Sequence, residues 1–215
     1  MIRSKLAISS KDYYSCELTR KLPVKVSVLA LNGSEGLGFY ESLDGNKENL
    51  EKYVQLMRKS PQIEDIKVTH RGERRLWTRV VHKLDYPSIH DTIIESGSMT
   101  ILPITIVHGV QYHKILSPTP KAFRELMKKL QERFSTIKVR ALSSQPTDTI
   151  QYLLTKKQYD ALVLAFKKGY YEVPRKCTLE ELAESLGIKR VAMQERIRRA
   201  ELRIMNEYAS SNFFL

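Results

Sequence analysis

The chain has 215 residues, 42% of them hydrophobic and 28% charged, a balance that supports a buried core and excludes a wholly disordered protein. Its formal net charge is +12 and its isoelectric point about 9.6, so the surface favours polyanions such as nucleic acid or anionic lipid. Two cysteines, Cys16 and Cys177, are too few for a disulfide framework or a zinc site, and no run approaches the roughly 20 apolar residues of a membrane span.

The basic start MIRSKLAISS lacks the long apolar run of a signal peptide, so a reducing, cytoplasmic setting with no membrane partner is expected. VKVSVLAL (Val24–Leu31) and GLGFYESL (Gly36–Leu43) flank the turn-forming NGSEG and read as a hairpin. NKENLEKYVQLMRKS, with Asn46 as N-cap and Pro61 beyond its end, aligns Leu50, Tyr53, Val54 and Met57 on one helical face. IEDIKVTH (Ile63–His70) and RRLWTRVVHK (Arg74–Lys83) form a second expected hairpin. A helix over Pro87–Ser96 carries Ile89, Ile93 and Ile94 and stops at Gly97.

MTILPITIV and VQYHKIL follow as strands around His108-Gly109, where Pro103 places the first at an edge or at a bulge. A helix over Pro120–Phe134 has Phe123, Leu126, Met127 and Leu130 on one stripe, and the strand Thr136–Leu142 closes the series. Ile-Lys-Val recurs after a helix at Ile66–Val68 and Ile137–Val139, either by chance or because a unit is repeated in a ferredoxin-like antiparallel arrangement. The polar SSQPTD (Ser143–Asp148) then separates strand-rich from helical sequence. The expected domains are residues 1–148, an α+β sensory or dimerisation domain, and residues 149–215, an all-α helix-turn-helix of winged-helix-like or sigma-region-4-like kind.

In the second part, TKKQYDALVLAFKKG is capped by Thr155, stopped by Gly169 and striped by Tyr159, Leu162, Val163 and Phe166. Thr178 opens LEELAESL with Glu181 in capping-box position, burying Leu179, Leu182, Ala183 and Leu186. Gly187 ends that helix and Ile188 fills the corner. KRVAMQERIRRAELRIM then turns Met193, Ile197, Ala200 and Ile204 inward. A short helix, a Gly-bearing turn and a longer basic helix is the arrangement that sets the second helix in the major groove. Lys189, Arg190, Val191, Ala192, Gln194, Glu195, Arg198 and Arg199 are the expected base-side and groove-side residues. Arg pairs with guanine, Gln with adenine, and Val191 and Ala192 suit a thymine methyl. Arg175, Lys176 and Thr178 stand where cations and N–H groups meet phosphates.

The stretch LTKKQYDALVLAFKKGYYEVPRKCTLEELAESLGIKRVAMQERIRRAELRIM closely resembles the bacterio-opsin-activator-type helix-turn-helix domain of archaeal transcription regulators. GYYEVPR, TLEELAESLGI and RRAE carry that resemblance, which implies double-stranded DNA as partner. The family usually opens its recognition helix with Ser or Thr, whereas Lys189, Arg190, Val191 and Ala192 stand here, and Arg196 replaces a frequent His; the operator therefore does not carry over. CELTRKLPVKVSVLALNG is similar to the sensory or assembly regions attached to such domains, which implies an ACT-like effector domain.

Other chemistry finds little footing. The glycines of NGSEGLG lie in a hairpin and lack the Lys-Ser/Thr of a phosphate loop, and His90, His108 and His113 fit no strong ligand spacing. No nucleophile–base pair is recognisable, so neither enzyme activity nor a cofactor is expected. The expected protein is a DNA-binding transcription regulator, a homodimer that takes a small-molecule effector at its N-terminal domain. The rival readings are an RNA-binding or protein-interaction module. The first of these needs paired exposed aromatics on the sheet, where GLGFYESL offers Phe39 and Tyr40 on opposite faces. The apolar NFFL at residues 212–215 either docks or frays.

Overall fold

The computed structural model describes residues 1–11, 13–134, 136–143 and 153–212. The chain divides into two compact units, Met1–Pro146 and Thr147–Leu215. Most of the run expected to join the domains, and the NFFL tail beyond residue 212, lie outside the described residues.

The first unit is mixed α and β. Its elements are β1 (Ile2–Ser9), α1 (Tyr14–Lys21), β2 (Val24–Asn32), β3 (Glu35–Ser42), α2 (Lys47–Arg58), β4 (Ile63–Arg71), β5 (Arg75–His82), α3 (Ile89–Glu95), β6 (Met99–Val107), β7 (Val110–Ser117), α4 (Pro120–Arg133) and β8 (Thr136–Ser143). Along the chain this is strand–helix–strand–strand–helix–strand, twice over. In space the strands form one antiparallel sheet in the order β4-β5-β3-β2-β6-β7-β1-β8. Each series has exchanged its first strand with the other: β5 lies between β4 and β3, and β1 between β7 and β8. The two Ile-Lys-Val segments sit in β4 and β8, the outermost strands.

Local chemistry accounts for the helices. Asn46 caps α2 by accepting from Glu48 N at 2.9 Å, and α2 buries Leu50, Tyr53, Val54 and Met57 as its 3.6-residue period requires. Ser88 and Asp91 form a reciprocal capping box on α3, and Thr119 caps α4. On α3 the buried residues are Ile89, Thr92 and Ile93, while Ile94 is 55% exposed, a correction to the expected stripe. Alternate strand residues, among them Leu6, Ile8, Val24, Val26, Tyr40, Leu76 and Ile115, join these helices in one core. Each such side chain fully removed from water contributes about 2 kcal/mol. Gly38 is dictated by space, because a Cβ there would lie 2.0 Å from the Ser27 carbonyl oxygen.

The seam between the two halves is thin. β2 and β6 pair only through Val26–Ile106, Ser27–Thr105 and Val28–Ile104. β2 slips register against β3 between Val28 and Ala30, and β6 slips against β7 between Ile101 and Thr105. Pro103 falls inside the second irregularity, so β6 is a bulged inner strand and not an edge; a residue without an N–H suits a place where the ladder is already interrupted.

His113 on β7 is 2% exposed, with Nε2 against Gln111 Oε1 at 3.1 Å. Burial, with His90 nearby, pushes its imidazole from an ordinary 6.5 down to about 3. The unfolded chain therefore takes up a proton near pH 6.5 that the folded chain refuses until about pH 3, and stability falls as pH drops through that window. The slope reaches about 1.4 kcal/mol per pH unit. Thermal midpoints at pH 7, 5.5 and 4.5 are expected to fall more steeply for the wild type than for His113→Leu. Parallel curves would remove His113 as the acid-sensitive group.

Candidate nucleic-acid interface

Among the described residues the second unit carries α5 (Lys156–Lys167), α6 (Leu179–Ser185) and α7 (Arg190–Asn212). Thr155 and Gln158 close a capping box at the start of α5. Its buried residues are Gln158, Ala161 and Ala165, whereas Phe166, expected on the inner stripe, is 76% exposed. The reason is size: α5 packs on both α6 and α7, and it meets them through two alanines that leave room for Leu182, Met193 and Ile197. Tyr159, Leu162 and Val163 are half-buried beside that face.

Gly169, at φ 74°, reverses the chain after α5, and Tyr170 N donates back to Ala165 O at 2.9 Å. The GYYEVPR segment is then tied down from several sides. Lys176 N donates to Gly169 O at 3.1 Å, and the Arg175 guanidinium stacks 4.5 Å above the Tyr170 ring. The Tyr171 hydroxyl donates to Glu201 Oε1 of α7 at 2.6 Å. Partial burial, and then the Glu201 carboxylate, raise that phenol above its ordinary range, so it keeps its proton.

Thr178 accepts from Glu181 N at 3.3 Å and Glu181 Oε2 accepts from Thr178 N at 2.8 Å, the expected capping box of α6. Leu182 and Ala183 are buried, and Leu179, Leu186 and Ile188 pack at the margin of the same cluster. Gly187, at φ 61°, supplies the left-handed residue of the corner, and Ile188 N donates to Ala183 O at 3.0 Å. From that corner α7 runs with Met193, Ile197 and Ala200 buried.

The opposite face of α7 exposes Arg190, Val191, Gln194, Glu195, Arg198 and Arg199, with Lys189 exposed just before its start, while Ala192 is half-buried. They differ in electrostatic state. Arg190 is paired with Glu180 in the first turn of α6, and Arg199 with Glu195 one turn earlier. Among the described residues the side chains of Lys189, Gln194 and Arg198 have no partner. Arg175, Lys176, Thr178 and Arg190 share one shallow concavity with Glu180 and Glu181, and Lys176 is bridged to Glu172 at 2.5 Å. Glu180 was not singled out from the sequence. An acidic residue in the first turn of a helix satisfies the helix dipole, which hides any second role as an arginine's partner.

Residues 154–206 match the family model described as an HTH DNA binding domain. This part of the chain is a helix-turn-helix DNA-binding domain of the bacterio-opsin-activator type. Its relatives include dimethyl sulfoxide reductase transcriptional activators of two halophilic archaea. The one from Haloferax volcanii is 43% identical over 51 residues, and the one from Halobacterium salinarum is 40% identical over 53. These matches span 24% and 25% of the chain and 24% of each relative. No solved structure matches the chain.

The α6 cap is expected to matter to the whole helix-turn-helix domain. Thr178→Ala leaves the Glu181 N–H without its acceptor and lowers stability by about 1 kcal/mol. Chemical denaturation followed by helical circular dichroism reads that loss, and an unchanged midpoint would contradict it.

Proposed function

We propose that this protein is a sequence-specific DNA-binding transcription regulator, with α7 in the major groove and the first unit serving dimerisation or effector sensing. The observation that carries the reading is the row of exposed cations and amide on α7, projected from a capped and glycine-turned helix pair inside the matched domain. Lys189, Arg190, Val191, Ala192, Gln194, Glu195, Arg198 and Arg199 face the base edges and groove walls, and Arg175, Lys176 and Thr178 face phosphates. The net charge of +12 supplies the sequence-independent part of the affinity. The names of the two relatives favour activation as the output. A homodimer follows from the short reach of one recognition helix, since a two-fold protein matches a palindromic site. The protein acts in the cytoplasm without a cofactor, performs no catalysis itself and has no membrane partner; among the described residues no helix is long and apolar enough to cross one.

The first unit is read as a pair of ferredoxin-like, ACT-like modules. What supports this is the order β8-β1-β7-β6, a 4-1-3-2 arrangement in which β1 stands in the place of β5, mirrored by β4-β5-β3-β2, in which β5 stands in the place of β1.

The ion pairs on α6 and α7 sort the expected mutational effects. Lys189→Ala and Arg198→Ala each weaken duplex retention at about 0.1 M salt by ten-fold or more and lower the salt slope by about one. Arg199→Ala, whose cation is already paired, has a smaller effect. Glu180→Gln tightens binding by removing a negative charge and releasing Arg190. Gel shifts at several salt concentrations measure all four, with light scattering of the same samples reporting the dimer. Salt-independent retention, or a monomer with and without DNA, would overturn the corresponding part.

One observation favours a second reading. Phe39 and Trp77 pair on the exposed face of neighbouring strands β3 and β5 with ring centroids 5.2 Å apart, and Arg75 stacks 4.7 Å above Phe39. Tyr40 lies on the opposite face from Phe39, as expected from their adjacency, and is buried against Tyr53. An aromatic platform of this kind, with its arginine held by Glu41 at 2.7 Å, suits the stacking of single-stranded RNA. Trp77→Ala separates the readings: it abolishes retention of a single-stranded oligoribonucleotide if the sheet binds RNA, and leaves duplex DNA retention unchanged if α7 alone reads nucleic acid.

A further inference from the structure

The thin seam of the first unit leaves a cavity of about 440 Å³, within the range of small-molecule sites. It lies where the β2–β6 ladder gives out, and both halves of the sheet wall it: Val28 and Leu31 from β2, Ile104 and Ile106 from β6, closed by Leu84 and Ile89. The walls are therefore mostly apolar.

Buried polar groups stand among them, Tyr13 and His113 included. Tyr13 is 7% exposed; its hydroxyl accepts from Ile89 N at 3.0 Å, and burial pushes it up to about 12, so it keeps its proton. His113 contributes to the same wall. Its Nε2 is taken by Gln111 Oε1, and its buried Nδ1 has no partner among the described residues. An imidazole that gives its Nε2 proton to that amide oxygen presents Nδ1 as a bare acceptor. A buried acceptor with no donor costs stability, and a ligand donor would relieve that cost.

Full charges are held away from the interior. The cation on the lining, Lys83, is exposed at the rim, as is Glu64. Asp91 is committed to the Ser88 N–H at 2.8 Å. Burial also lowers the imidazole of His82, so neither His82 nor His113 offers a ready positive charge to an anion.

We propose that this cavity binds an uncharged, largely apolar small molecule with at least one hydrogen-bond donor, held across the seam with that donor on His113 Nδ1. The site deepens the effector-sensing reading given above and rests on it for its regulatory meaning. A ligand seated there bridges two halves that are otherwise joined at the seam by three residue pairs, so its binding energy is coupled to the closure of the sheet.

Indole is a suitable probe, being uncharged, apolar and furnished with a single N–H. Calorimetric titration of the full chain is expected to give one saturable site for indole, with 1-methylindole and indole-3-carboxylate each at least ten-fold weaker. Leu31→Trp fills the cavity and abolishes binding. His113→Leu retains indole but loses the preference over 1-methylindole. The proposal is overturned if indole shows no saturation, if the methylated probe binds equally well, or if a Leu31→Trp protein of wild-type thermal midpoint binds as tightly as the wild type. Duplex DNA retention, with and without saturating indole, is measured separately. Indole that saturates the site without moving DNA affinity upholds the pocket and removes its sensing role; DNA that is never retained removes the regulator reading while the titration still decides the pocket.

Discussion

The first unit depends on the placement of β1. Residues 2–9 are hydrogen-bonded on one side to β7 and on the other to β8, so the start of the chain is stitched into the half of the sheet built from its later strands. The reciprocal placement of β5 between β4 and β3 ties the later series to the earlier. Separating the halves would require pulling an inner strand out of two ladders, with Leu6 and Ile8 leaving the core. That crossing is a stronger connection than the three-pair β2–β6 seam. It is what allows the seam to carry bulges, Pro103 and a cavity without the sheet falling into two.

The second unit solves a different problem with local chemistry. Among the described residues, α5, α6 and α7 bury a small cluster, led by Ala161, Ala165, Leu182, Met193 and Ile197, too little to tolerate loose ends. The ends of α5 and α6 are accordingly fixed, by capping boxes at Thr155 and Thr178 and left-handed glycines at 169 and 187, and the Tyr171–Glu201 bond anchors GYYEVPR to the long helix. This explains why GYYEVPR accompanies the helix pair. Its aromatic and basic residues hold the approach to α6 in one conformation, so that Arg175 and Lys176 stand in a defined relation to Thr178 and Arg190.

Legibility from the sequence followed the strength of the local signal. α2 was readable almost residue by residue because its cap, its apolar period and its following proline agree. β1 was not read, although Leu6 and Ile8 alternate, because Ser4 occupies a buried position and Ala7 is buried on the opposite face. α1 has no side-chain cap, since Tyr13 precedes it, and so lacks the usual opening mark. The α5 stripe was set one position off because hydrophobicity favours Phe166 over Ala165, whereas close helix packing prefers the smaller side chain. The repeat was visible as Ile-Lys-Val after a helix, but strand exchange is a matter of which ladders close in space, and no local period encodes it. At the candidate interface the outward face of α7 was legible from helical geometry; the occupancy of Arg190 by Glu180, ten residues earlier, was not.

That occupancy bears on how α7 would discriminate. An exposed arginine paired with glutamate loses little when it exchanges the carboxylate for a phosphate or a guanine edge, because such surface pairs are worth at most about 1 kcal/mol. The glutamate left behind, however, then faces a polyanion, and its repulsion is relieved only if the arginine stays within reach of both. A guanine edge that draws Arg190 off Glu180 must therefore offer two good hydrogen bonds, whereas Lys189, Gln194 and Arg198 are free to engage weaker partners. The KRVA opening thus combines one cation under restraint with one that is free. On the proposed reading, discrimination at that end of the helix would follow from the difference between them.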